Sequence, residues 1–338
     1  MKWSVLDQSP ASAGSGEDAA IRASLLLARD CERLGYARYW LSEHHNMASV
    51  AGTAPEVLAA AIAAVTGRIR IGSAGVMLPH YSALKVAEQF RVLEALAPGR
   101  IDLGVGRAPG SDGLTARALN PYSNVEDFPR QVQELQHWVS NRQLPEGHPF
   151  RDLAAHPTGA TSPDIWILGS SVYGAQLAAY LGLPYAFAYF FNDGAGVEDA
   201  LSLYRQAYRP SERHPAPYAT ICVWALAADT RAEAHRLLTA REHWRVGFEK
   251  GLRMPLISPE DAAAYPYTPA ERATIERLRA VTLAGTAANV ASGLYELAER
   301  LELEEIVINT WTFDPEARRH SYALLAGALG LSRDAARD

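Results

Sequence analysis

RIRIGSAGVMLPHYSALKVAEQFRVLEALAPGRIDLGVGR, residues 68–107, holds two strands and the helix between them. Arg68 to Leu78 carries Ile69, Ile71 and Val76 among small residues, which predicts a strand. Val86, Phe90 and Leu93 then fall on one face of a helix, and Pro98-Gly99 stops it. Arg100 to Val105 predicts the next strand. Strands joined by a helical crossover lie parallel with right-handed connection, and a parallel sheet needs helices over its faces.

The same unit recurs on both sides. Upstream, Trp3–Asp7 precedes a helix over Glu17–Leu34 ended by Gly35, and Tyr39–Glu43 precedes a helix opening at Thr53. Glu56, three residues after Thr53, predicts a capping box there. Downstream, a helix is expected around Glu126–Asn141, then a Pro-rich connection over Leu144–Pro163 with some local structure. Strands Ile165–Gly169, Tyr185–Phe191 and Ala219–Ala227 are paired with helices Tyr173–Leu181, Val197–Tyr208 and Arg231–Phe248. Gly251–Gly285 is an insertion before a helix over Ala288–Leu301, and Glu305–Asn309 with Pro315–Leu329 completes the series. Eight such units close as a (β/α)8 TIM barrel with insertions; a doubly wound open sheet is the alternative closure. No linker divides residues 1–338, so one domain is expected.

Composition narrows the function. The 338 residues are 48% hydrophobic and 21% charged, which suits a large core and excludes wholesale disorder. A net charge of −6 argues against a nucleic-acid binder. There is no apolar run long enough for a bilayer and no signal-peptide core, so a soluble cytoplasmic protein is expected. Cys31 and Cys222 form neither a disulfide framework nor a metal knuckle.

In a barrel, ligands gather at the C-terminal strand ends. Those ends read Asp7-Gln8-Ser9, Glu43-His44-His45-Asn46, Ser73-Ala74-Gly75, Gly104-Val105-Gly106-Arg107, Gly169-Ser170-Ser171, Asn192-Asp193 and Asn309-Thr310-Trp311. Adjacent residues on a strand point to opposite sides, and no HxH or HxxxH supplies a further ligand near His44-His45, so no metal site is expected. His44 is either a working imidazole or one satisfied by a backbone carbonyl. Arg107 either forks onto a phosphate or pairs with a carboxylate. Ser170-Ser171-Val172-Tyr173-Gly174 joins a strand end directly to a helix start, which suits an anion or an ordinary serine cap. Convergence with Arg107 from the neighbouring strand favours phosphate. A nucleophile elbow and a P-loop are absent, and Lys2, Lys85 and Lys250, the only lysines, leave no Schiff-base candidate. The GVGRAPG run at residues 104–110 is not a dinucleotide fingerprint. An anion grip without a nucleophile points to a cofactor for the difficult step.

These residues, in their order and spacing, resemble the bacterial luciferase-like flavin-dependent monooxygenases over essentially the whole chain. The matching pieces are WLSEHHN at 40–46, IGSAGVMLP at 71–79, AEQF at 87–90 with Leu93, PGRIDLGVGR at 98–107 and ILGSS at 167–171. The resemblance implies a barrel that binds reduced flavin mononucleotide (FMN), with His44 as catalytic imidazole and a cis peptide at Ala74–Gly75 beneath the ring. It implies a phosphate grip from Arg107, Ser170, Ser171 and the helix start at Tyr173-Gly174, with Gly106 near the ring. Tyr173 stands where relatives often carry a small hydroxyl residue. The insertion at about 251–285 takes the place of the family's mobile lid, against the plainer reading of a surface excursion. The implied activity is two-component: a separate flavin reductase supplies reduced FMN, and O2 oxygenates a small organic substrate in a homodimeric enzyme. A coenzyme F420-dependent hydride-transfer enzyme and a non-catalytic flavin-binding protein are the alternatives.

Overall fold

A computed structural model describes residues 1–331. Strand β1 (Lys2–Asp7) leads to helix α1 (Glu17–Leu34), β2 (Arg38–Leu41) to α2 (Pro55–Val65), and β3 (Arg70–Met77) to α3 (Ala83–Leu96). β4 (Ile101–Gly106) is followed by α4 (Gly113–Leu119) and α5 (Phe128–Val139). Then come β5 (Asp164–Gly169), α6 (Val172–Leu181), β6 (Tyr185–Phe187), α7 (Val197–Ala207), β7 (Ala219–Ala228) and α8 (Arg231–Glu249). The chain ends with α9 (Pro259–Ala264), α10 (Pro269–Val281), β8 (Leu283–Thr286), α11 (Ala287–Arg300), β9 (Glu305–Asn309) and α12 (Pro315–Ala328). The strand order is β6-β5-β4-β3-β2-β1-β9-β7-β8, and β6 also pairs with β7. β1–β7 and β9 therefore form the parallel ring of a (β/α)8 barrel, while β8 pairs with the far half of β7 at Ala225–Ala228.

Contacts divide the chain into two units, the first holding residues 1–39, 47–53 and 222 onward, the second residues 40–46 and 54–221. In the first, β1 runs in register with β9 from Lys2↔Glu305 to Leu6↔Asn309. Two buried ion pairs hold that unit: Arg38 with Glu305 at 2.9 Å, and Arg318 with Asp7 at 2.9 Å. The Tyr39 hydroxyl donates to the second Asp7 oxygen at 2.5 Å, so both oxygens of this carboxylate are bonded. Removing either partner of such a pair leaves a buried charge, at a cost of about 3–5 kcal/mol.

In the second unit the β3–β4 seam leaves no room for a side chain at two glycines. A Cβ on Gly72 would stand 2.1 Å from the Asp102 carbonyl oxygen, and one on Gly104 2.2 Å from that of Ser73. The Ser73 hydroxyl donates to the Gly104 carbonyl at 2.8 Å across the same seam. Asp102, fully buried, accepts from the Trp40 indole at 2.9 Å and pairs with Arg70 at 2.5 Å. Gly104→Ala is therefore expected to lose about 3 kcal/mol of stability or more, since the obstacle is backbone that cannot swing away. Urea denaturation of the variant checks this, and a stability within 0.5 kcal/mol of wild type, the range of ~0.5 expected for neutral surface changes, contradicts it.

Several expectations are corrected. No capping box forms at Thr53, because Pro55 takes the first helical position and Ala54 becomes the cap without a side-chain bond. The sixth strand ends at Phe187, not Phe191. Its neighbour β5 ends at Gly169, whose carbonyl accepts the last bond from Ala188, and Tyr189–Phe191 coils into a 3-10 turn. Helix α4 escaped notice because none of its residues is buried and its pattern carries no apolar face; Asp112 caps it through Leu114 N–H and Thr115 N–H. The Leu144–Pro163 connection carries local structure as expected, in the form of turns and a cis His156–Pro157 bond, with neither helix nor strand. The 251–285 insertion is more regular than foreseen, containing α9, α10 with a complete Thr268–Glu271 capping box, and most of β8.

Candidate active site

Every residue proposed for the site belongs to the second unit. The chain leaves β2 through Ser42-Glu43-His44-His45-Asn46, and Asn46 takes a positive φ of 53°. Glu43 is 1% exposed and accepts from His45 Nε2 at 2.8 Å, Tyr81 Oη at 2.6 Å and Met77 N–H at 3.0 Å. The His44 ring is held by Ser42 Oγ, 3.1 Å from Nδ1. Desolvation lowers the His44 pKa from its ordinary 6.5 to about 4, against the opposing pull of Glu43. Its imidazole is therefore neutral at physiological pH.

The His44 segment lies against the loop that carries Arg107. His45 N–H donates to the Gly110 carbonyl at 3.0 Å, and His80 Nε2 bonds the Pro109 carbonyl at 2.8 Å. Between them the Ala74–Gly75 peptide is cis, and the β3–β4 register shifts at this point, between Ala74 and Val76. Gly75 has no room for a side chain: a Cβ would meet Leu168 Cδ1 at 2.2 Å and the Gly104 carbonyl oxygen at 2.6 Å. Gly106 is roomier, with Met77 Sδ at 3.7 Å from an added Cβ.

Arg107 forms no ion pair with any described residue. Its guanidinium carbon instead lies 3.9 Å over the ring centroid of Tyr173, in the first turn of α6. Tyr173, read from the sequence as a departure from pattern, is thus the platform on which Arg107 rests. Ser170 and Ser171 are exposed, and Ser171, at the N-cap, makes no capping bond. The opening N–H groups of α6 are therefore left to another acceptor. Gly174 is buried at the closest approach of helix and strand, where an added Cβ would meet Tyr185 Cε2 at 3.3 Å and Gly169 Cα at 3.4 Å. A cation and a helix N-terminus side by side repel unless an anion joins them.

The other strand ends have local roles. Asn192 Nδ2 donates to the Ala195 carbonyl at 3.2 Å, closing a turn. In the first unit, described by itself, Asp7 is consumed by Arg318 and Tyr39, Asn309 donates to Gln8 Oε1 at 2.6 Å, and Trp311 packs on Trp224 and Trp244. Sequence reasoning missed Tyr81, which no motif marks, and left Glu43 without a role. Among the described residues no cluster of three or more His, Cys, Asp or Glu could hold a metal, and no helix is long and apolar enough to cross a membrane.

Comparison with known proteins gives the same family from independent directions. The luciferase-like monooxygenase family model matches residues 1–305. The luciferase-like monooxygenase of Escherichia coli (strain K12) is 42% identical over 324 residues, covering 95% of each chain. The N-acetyl-S-alkylcysteine monooxygenase of Bacillus subtilis (strain 168) is 39% identical over 340 residues, covering 97% of this chain and 98% of its own. Among solved structures, apo-MsnO8 superposes with a TM-score of 0.88 at 34% identity, covering 98% of this chain and 99% of that one. With the barrel, the family match and relatives that agree along nearly their whole lengths, this chain belongs to the luciferase-like monooxygenase family.

Proposed function

We propose that this chain is the oxygenating component of a two-component monooxygenase, which takes reduced FMN from a separate reductase and uses O2 to oxygenate a small organic substrate. The observation that carries the reading is Arg107, stacked on Tyr173 with no carboxylate partner among the described residues, beside a helix start that no side chain caps. A phosphate dianion answers that charge and those N–H groups together. Arg107, Ser170, Ser171 and the first N–H groups of α6, from Val172 to Gly174, would hold it, with Ala74, Gly75 and Gly106 against the ring. Bound reduced flavin would supply the electrons that activate O2, chemistry beyond the reach of protein side chains. His44, neutral above about pH 4, offers one ring nitrogen that carries a proton and one that accepts, with Ser42 fixing the ring.

The names of the relatives support monooxygenation, and that of the Bacillus subtilis enzyme makes thioethers the first substrate class to try. A homodimer, a reducing compartment suited to the buried free thiols Cys31 and Cys222, and a mobile 251–285 segment complete the proposal. The test supplies the protein with reductase, NADH, FMN, isotopically heavy O2 and a panel of N-acetyl-S-alkylcysteines. The expected product carries one labelled oxygen atom and disappears when FMN is withheld. Turnover on reduced coenzyme F420 without O2 would replace this reading with hydride transfer.

A further inference from the structure

We infer that Glu43 is a positioning residue, whose single buried carboxylate clamps the His44-His45 segment, the Tyr81 hydroxyl and the backbone leaving β3, and so sets His44 for reaction. Its catalytic consequence rests on the flavin reading above; its geometry lies wholly within residues 40–110 of the second unit. Oε1 receives Tyr81 Oη at 2.6 Å and His45 Nε2 at 2.8 Å, and Oε2 receives Met77 N–H at 3.0 Å. An ionised carboxylate only accepts, so His45 carries its proton on Nε2 and Tyr81 points its hydroxyl hydrogen inward.

The three donors come from different places. His45 is next to His44; Met77 stands two residues beyond Gly75; Tyr81 follows the 3-10 turn Leu78–His80. The same segments are sewn to the Arg107 loop by His45 N–H to Gly110 and His80 to Pro109. One carboxylate thus gathers the end of β2 and the end of β3 around the peptide bond under the proposed ring. Among the described residues its only ion-pair partner is His45, and no Arg or Lys neutralises it. Its charge therefore acts on the neighbouring imidazole as well as on the hydrogen bonds. The titratable groups facing His44 are Glu43 and His45 on its own segment; Glu56 at the start of α2 and Tyr81 after β3 surround Glu43 in turn.

Loss of the charge at a carboxylate used only as a brace would leave the His44 titration unmoved; at one that also sets the imidazole it would not. Glu43→Gln keeps the shape, removes the charge and turns one acceptor into a donor facing Met77 N–H. Turnover is expected to fall about 10- to 100-fold, with the dissociation constant of reduced FMN changed less than about threefold, or ~0.7 kcal/mol. In flavin-free protein carrying isotopically labelled histidine, NMR titration should find His44 protonating about one pH unit lower than in wild type, because the favouring charge is gone. Glu43→Asp keeps the charge and should hold the His44 titration near wild type while recovering part of the rate. If Glu43→Gln does not fold, Tyr81→Phe removes one of the three donors, and a fall in turnover with unchanged FMN affinity is expected there. Wild-type turnover with an unmoved His44 titration in the variant that folds overturns the inference. A shifted titration in a protein that never turns over with FMN leaves the clamp standing and removes the flavin reading instead.

Discussion

Arg107→Ala is expected to weaken the binding of reduced FMN by about 100-fold, the largest binding effect of any single substitution in this site. Two charge-assisted hydrogen bonds at about 1.5–3 kcal/mol each set the scale, and about 3 kcal/mol corresponds to that factor. The fold should be unharmed, because Arg107 bonds no other described residue and rests only on an aromatic ring. Arg107→Lys should recover part of the affinity, since an ammonium keeps the charge but loses both the planar stack on Tyr173 and the fork. Anaerobic titration followed by flavin absorbance gives both constants, and an alanine variant that binds as wild type would remove Arg107 from the phosphate site.

His44→Ala should reduce turnover about 100- to 1,000-fold while leaving flavin affinity within about threefold, as befits a group that moves protons rather than one that grips the cofactor. The wild-type rate should hold on the acid side until His44 titrates, near pH 4, provided the protein remains folded. Stability carries the matching signature. In the unfolded chain His44 takes up a proton below about pH 6.5, whereas the folded chain resists until about pH 4. Stability contributed by the neutral ring is thus present above 6.5 and lost as the pH falls toward 4. Chemical denaturation at pH 7 and pH 5 measures the loss, and His44→Ala should show less of it.

The barrel was legible because its units repeat: each strand is a short β-rich run, and each long helix has a buried stripe that fixes its period. Elements without such a stripe were invisible, α4 because none of its residues is buried and β8 because it pairs outside the ring with the far half of β7. Pro55 overruled the Thr53–Glu56 signal, since a proline's fixed φ decides a helix start more firmly than a capping pattern. At the site, the strand-end rule collected His44, Arg107, Ser170 and Ser171, but it could not say whether Arg107 faced a carboxylate. In the structure Arg107 stacks on Tyr173 and pairs with no carboxylate among the described residues, a side-chain arrangement that no spacing encodes. Glu43 and Tyr81 illustrate the same limit, for they meet only after β2 and the turn beyond β3 have been placed side by side.

We propose that this chain recognises reduced FMN by its phosphate, at Arg107 and the start of α6. FMN and riboflavin share one ring system and differ in that group alone. Anaerobic titration of the wild-type protein with the reduced form of each should give FMN an advantage of at least about 100-fold, worth ~3 kcal/mol. Equal affinities for the two would rule out recognition through the phosphate.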